Sequence, residues 1–167
     1  MDIKQRNKEF LNRIEVDNAL RNIRDSLVDS QHPETLVITC SDSRVIPEYI
    51  FSSTLGELFV IRTAGNVINE GELASIEYAI EHLQVKHIIV LGHTQCGAIH
   101  ASIRNESGRY LDPILKRIKH NIGDISNEIE ASRENANKEA LYIKSKFPRY
   151  QGNVESLIYN IKTSEVD

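Results

Sequence analysis

Three short apolar runs constrain this chain more than any other feature. Leu36-Val37-Ile38-Thr39, Leu58-Phe59-Val60-Ile61 and Ile88-Ile89-Val90-Leu91-Gly92 are rich in β-branched residues and show no polar alternation. Runs of that length and composition suit strands buried on both faces of a covered sheet. Between the second and third, residues 71–84 place Leu73, Ile76, Ala79, Ile80 and Leu83 on one helical face. A strand, a crossover helix and a further strand pair in parallel, with a right-handed connection. Phe10, Ile14, Leu20, Ile23 and Leu27 form a helical stripe over the first 30 residues, which ends before Pro33. Helical spacing returns late in the chain, at Ile118, Ile122, Ile125 and Ile129, then at Ala136, Ala140, Ile143 and Phe147. Gly123-Asp124 divides that stretch, with Asp124 or Ser126 as the expected N-cap of the second helix. Leu157-Ile158-Tyr159-Asn160-Ile161 reads as a last strand at an edge.

The expected fold class is therefore α/β, a single domain over 1–167 with a mostly parallel four- to five-stranded sheet flanked by helices. Residues 1–30 form an N-terminal helical arm, 34–100 the core that carries the site, and 110–167 the helices and last strand. A length of 167 residues suits one domain. With a net charge of −4 and no more than two adjacent Lys/Arg, the chain gives no footing for nucleic acid. No apolar run approaches the ~18 residues that cross a bilayer. The start, Met1-Asp2-Ile3-Lys4-Gln5-Arg6, lacks the apolar stretch of a secretory signal. A cytoplasmic protein without membrane or nucleic-acid partners is expected.

The chain holds two cysteines, and both stand just past predicted strands. Cys40 opens Cys40-Ser-Asp42-Ser-Arg44, and Cys96 closes His93-Thr-Gln-Cys96. Two cysteines without a secretory signal make a disulfide framework a poor reading. Open α/β sheets bind ligands at the carboxyl ends of their strands, where the strand order reverses. Neighbouring strands would bring both motifs to that edge from more than 50 residues apart. Cys40, His93 and Cys96 then supply three soft ligands, with Asp42 a candidate fourth, which is the donor set of zinc. The i, i+3 spacing of His93 and Cys96 suits the start of a helix, whose N-terminus favours a thiolate. Gly97 is expected to allow close backbone approach there. A phosphatase loop fits poorly, because the three residues between Cys40 and Arg44 include no glycine and are too few to wrap a phosphate. A dithiol redox pair would leave His93 and Asp42 without a role.

Four segments resemble, in order, motifs of the β-class carbonic anhydrases. They are Cys40-Ser-Asp42-Ser-Arg44-Val45, Arg62-Thr-Ala-Gly65-Asn66, Glu77-Tyr78-Ala79 and Gly92-His93-Thr-Gln-Cys96-Gly97-Ala98. The match is dense from Gln31 to about His100. Asn135 to Phe147 and Leu157 to Thr163 look like the closing helix and strand of that family. The resemblance implies one Zn2+ per chain on Cys40, His93 and Cys96, with Asp42 and Arg44 as a catalytic charge pair beside it. In that family the carboxylate either pairs with the arginine or swings onto the metal and closes the site. The implied reaction is reversible hydration of CO2 to bicarbonate and a proton by zinc-bound hydroxide.

The resemblance also implies Gln31, Phe59, Ala64 and Tyr78 as substrate-pocket residues. Tyr78 and His82 are implied as a proton relay, sharing a helix face at i, i+4. It further implies a homodimer or higher homo-oligomer, with the first helix wrapping the neighbour and pocket residues shared across the interface. Two other functions fit the same ligands: hydrolysis of carbonyl sulfide or carbon disulfide on this scaffold, and a non-catalytic zinc-binding interaction module. The Asp42/Arg44 pair argues against the module, since a structural zinc site needs no open position. Thr63 departs from the Asn common in the family. Val37 stands where one subgroup carries the Trp of a bicarbonate regulatory site, which argues against that regulation.

Overall fold

A computed structural model describes residues 2–167 of the chain. Its sheet consists of β1 (Thr35–Cys40), β2 (Leu58–Thr63), β3 (His87–His93) and β4 (Asn153–Tyr159). The order is β2-β1-β3-β4 and every pairing is parallel. The helices are α1 (Ile3–Val16), α2 (Asn18–Ser26), α3 (Pro47–Ile50), α4 (Glu70–Glu81), α5 (Gly97–Ile103), α6 (Asp112–Ile122) and α7 (Glu128–Lys146). From β1 the chain moves outward to β2, then crosses back through α4 to β3 on the other side. The strand order therefore reverses between β1 and β3, and their carboxyl ends flank the crevice where such sheets bind ligands. Among the described residues, no helix is long and apolar enough to cross a membrane.

The doubly apolar strands are buried as their composition predicts. Leu36, Val37, Ile38, Ile88, Val90 and Leu91 have no solvent exposure. Leu36, Ile38, Ile88 and Val90 pack against Ile76 and Ala79 of α4 and Ala136, Ala140 and Ile143 of α7. Val37 and Leu91 meet Val45 and the α3 segment on the opposite face. Beneath the carboxyl ends, Ile99, Ile118, Ile122 and Ala131 form a third cluster around Cys40 and Cys96. Gly92 lets α7 sit close, since a Cβ there would lie 2.8 Å from Ile158 Cδ1 and 3.2 Å from the Ser132 carbonyl.

Three local expectations are corrected. The N-terminal stripe is two helices, because Asp17 leaves the helical region and its carboxylate accepts from the Leu20 N–H at 3.0 Å as the cap of α2. The cap of α7 is Asn127, which accepts from the N–H groups of Ile129 and Glu130, rather than Asp124 or Ser126. Gly123, at φ 57°, ends α6 as glycine does in the left-handed region, and leaves Ile125 in the link. The last strand starts at Asn153, earlier than the apolar alternation suggests, since residues 153–156, polar except for the buried Val154, pair with His87 to Val90. Its open flank is met by the following residues, through an antiparallel bridge between Tyr159 and Val166.

Candidate metal centre

Cys40 is the last residue of β1 and His93 the last of β3, so parallel pairing delivers both to one edge. Beyond His93 a tight turn, with Gln95 at φ 57°, swings Cys96 back to cap α5. The His93–Cys96 spacing thus spans a strand end and a turn, not one helical turn. Gly97 faces open space and provides no close approach. That role falls to Gly65, at φ 66°, where a Cβ would lie 2.8 Å from Ile118 Cδ1 and 3.1 Å from Ala98 Cβ.

Cys40, His93 and Cys96 are buried, and their ligand atoms all lie within 4.8 Å of one another. The two sulfurs are 4.0 Å apart. Tetrahedral zinc with sulfurs at about 2.3 Å sets them about 3.8 Å apart, so the pair is already spaced for the ion. His93 Nδ1–H donates to the Thr94 carbonyl at 2.9 Å, which fixes the tautomer because a carbonyl can only accept. The lone pair is therefore on Nε2, which is buried without a partner. Such an orphan costs about 1–3 kcal/mol unless it is ligated. Two sulfurs and an imidazole nitrogen, convergent and otherwise unsatisfied, fit zinc.

The sulfur–sulfur hydrogen bond with Cys96 and the Gly65 N–H at 3.3 Å hold the Cys40 thiol down. The Cys40 sulfur and burial push Cys96 up.

Asp42 turns to Arg44. Arg44 Nε and Nη2 donate to Asp42 Oδ1 and Oδ2 at 2.9 and 2.8 Å, and the Arg44 backbone N–H adds a third bond at 3.0 Å. The arginine fork holds the Asp42 carboxyl well below the usual carboxylate range. Arg44 also donates to the Gln95 carbonyl at 3.2 Å, joining the two motifs. Arg62 braces the same loop from β2, with Nη2 2.7 Å from the Asp42 carbonyl and Nε 3.3 Å from that of Cys40. Sequence reading left Arg62 and Gly65 without a role in the site, because their partners are a backbone carbonyl and a sulfur on another strand, which no spacing reports.

Ala64 opens the short helical turn Ala64–Asn66 and adjoins the Gly65 N–H at the Cys40 sulfur. The remaining pocket and relay residues lie elsewhere in this chain. Gln31 is exposed in the segment before β1. Phe59 pairs with Leu36, whereas Thr63 pairs with Cys40, a separation of about 13 Å along the strand. The Tyr78 ring lies 6.1 Å from that of Phe59, and His82 stacks on Tyr78 at 5.1 Å. Because α4 returns to the amino ends of the strands, this aromatic trio sits at the edge opposite the cysteines.

Two thiols and an imidazole brought by parallel strands to one switch point define an α/β protein with a mononuclear thiolate–imidazole metal centre. A sequence profile described as carbonic anhydrase matches residues 35–166. A carbonic anhydrase of Synechococcus elongatus is 52% identical over 85 residues, 47% of this chain and 31% of that one. One from Helicobacter pylori is 38% identical over 122 residues, 60% of this chain and 55% of that one. The β-carbonic anhydrase CcaA superposes with a TM-score of 0.78 at 32% identity, over 99% of this chain and 94% of that one. CafA of Aspergillus fumigatus gives 0.81 at 28% identity, over 98% and 86%. The chain belongs to the β-class carbonic anhydrase family. Among the curated relatives it spans about a third to a half of their length, 31%, 39% and 48% for three of them.

Proposed function

We propose that the chain catalyses reversible hydration of carbon dioxide to bicarbonate and a proton, at one zinc ion held by Cys40, His93 and Cys96. The Asp42–Arg44 pair carries this reading. A four-ligand structural site has no use for an ionised carboxylate held just outside the ligand set. Zinc with three protein ligands supplies a Lewis acid that brings a coordinated water toward ionisation near neutral pH. His93 serves as a ligand of fixed orientation, since its Nδ1–H is tied to Thr94. Arg44 neutralises Asp42 and keeps its oxygens from competing for the metal. The Asp42 carboxylate is thereby free to accept a hydrogen bond and aim a lone pair into the site. The small Ala64 leaves room for substrate beside it.

We further infer a homodimer or larger homo-oligomer, in which Gln31, Phe59, Tyr78 and His82 line a neighbouring subunit's pocket and His82 relays the proton. Their place at the far edge of one chain supports it, as do the tetrameric β-carbonic anhydrases of Sordaria macrospora, one of which superposes with a TM-score of 0.69 at 26% identity over 96% of each chain. Asp42→Asn tests the catalytic reading. One zinc per chain should be retained while CO2 hydration falls about 10²-fold. Unchanged turnover would contradict the role of Asp42, and sulfide release from carbonyl sulfide outpacing CO2 hydration would overturn the substrate.

A further inference from the structure

Below the metal centre the core contains a carboxylate. Glu139 of α7 has no solvent exposure. Arg117 of α6 grips it through Nε and Nη2 at 2.8 and 3.0 Å, while its guanidinium carbon lies 4.1 Å from the Tyr142 ring centre. Asn121 Nδ2 donates to Glu139 Oε1 at 2.8 Å and to Asn135 Oδ1 at 2.9 Å. Asn135, also fully buried, donates through Nδ2 to the Gly65 carbonyl at 2.9 Å. The Gly65 N–H then points at the Cys40 sulfur, 3.3 Å away. A continuous polar path leads from a buried ion pair to a zinc ligand.

The path has a direction. A carboxylate only accepts, so Asn121 must turn its NH2 toward Glu139. That NH2 also reaches Asn135, whose oxygen must therefore face Asn121 and whose NH2 must face Gly65. The Gly65 carbonyl again only accepts. Acceptors at both ends allow one arrangement of the two amides, and the charge at Glu139 enforces it. Apolar residues of similar volume would fill a core without the desolvation penalty of an ion pair. What the polar path adds is orientation. The Gly65 N–H and carbonyl belong to successive peptide planes joined at a Cα with φ 66°, so holding the carbonyl restrains the N–H while that Cα is packed in place. Ile118 of α6 packs against its Cα side, and Asn135 anchors its carbonyl.

We propose that Asn135 is a positioning residue for the metal centre. It anchors the Gly65 carbonyl and, through the packed Cα, holds the N–H of the preceding peptide on the Cys40 sulfur, with Arg117, Glu139 and Asn121 setting the donor direction of Asn135. Outer hydrogen bonds to a ligand tune its donor strength toward the metal. An N–H on sulfur lowers the energy of the sulfur lone pairs, and its loss raises them. This inference rests on the zinc-centre reading above.

The test uses the full chain loaded with cobalt(II), whose sulfur-to-metal charge-transfer absorption reports sulfur lone-pair energy directly. Asn135→Leu and the gentler Glu139→Gln are compared with wild type at one cobalt per chain, with folding checked by circular dichroism. Asn135→Leu should shift the band to longer wavelength and, through the lost pre-positioning of the sulfur, weaken cobalt binding about tenfold, while Glu139→Gln, whose amide oxygen still accepts from Asn121, should shift the band less. Ser102→Ala removes a buried bond to the Leu115 carbonyl outside the path and should leave the band in place. An unmoved band in folded Asn135→Leu, whatever the loss of thermal stability, overturns the inference alone. A wild-type cobalt protein with no sulfur band overturns the metal centre, and the inference with it.

Discussion

Gly65 shows how much of this site rests on one residue. Its φ of 66° favours glycine, and an added methyl would meet Ile118 at 2.8 Å. Gly65→Ala should cost about 1–3 kcal/mol by overpacking, read from the urea midpoint of the metal-free protein. A cost near zero would show that Ile118 gives way without penalty. The ligands themselves were legible in sequence. Cys40, His93 and Cys96 lie within two compact motifs, and the motifs follow short β-branched runs that read as buried strands. Asp42 and Arg44 were expected as a pair from the family resemblance alone, and the structure shows which way the carboxylate turns. Arg62, Gly65 and Asn135 were not legible as parts of the site, because each acts on or through the backbone of a distant element. A glycine N–H or an asparagine on a long helix gives no local signal of its target.

At the scale of elements, the same physics divides what was readable from what was not. β1 and β3 are central strands, covered on both faces, so their composition declares them. β4 is an edge strand whose first four residues are largely polar, and it is defined by pairing with β3 rather than by its own pattern. Its approach is fixed by Tyr150, whose hydroxyl donates to the Val85 carbonyl at 3.0 Å and ties the turn before β4 to the start of β3. Burial pushes the Tyr150 phenol above its ordinary value of 10.0. With the folded value raised, the contribution to stability is whole below about pH 10 and is lost as pH rises through the folded value. Tyr150→Phe should lose about 1 kcal/mol at neutral pH through the missing hydrogen bond, yet decline less steeply than wild type above pH 10. Parallel declines in a denaturation series across that range would contradict the assignment.

Taken whole, the molecule places its metal ligands at one edge of the sheet and its aromatic trio at the other. Its amino-terminal helices bury little of their own surface, with Ile14 the one buried residue of α1 and none buried in α2. A cleft of about 670 Å3 between them and the loop before β2 is lined by Phe10, Leu20, Tyr49, Leu55 and Leu58. A helical stripe in sequence cannot show that its apolar side faces a cleft instead of the core. An assembly that seats a second copy there and brings its far edge to the cysteines accounts for both features. Sedimentation of the zinc-loaded protein should give a dimer or a multiple of it, and a monomeric mass at micromolar concentration would contradict the shared pocket.

Zinc bound only by the folded chain also stabilises it in proportion to the logarithm of its concentration. Chelation should therefore lower the melting temperature, and an unchanged transition would mean that the ligands do not hold the ion in the folded state. Stopped-flow CO2 hydration tests the proposed reaction itself, on one preparation before chelation, after it, and after zinc is restored. A rate well above buffer should disappear on chelation and return at one zinc per chain. A zinc-loaded chain with no rate above buffer, or a rate indifferent to chelation, would contradict it.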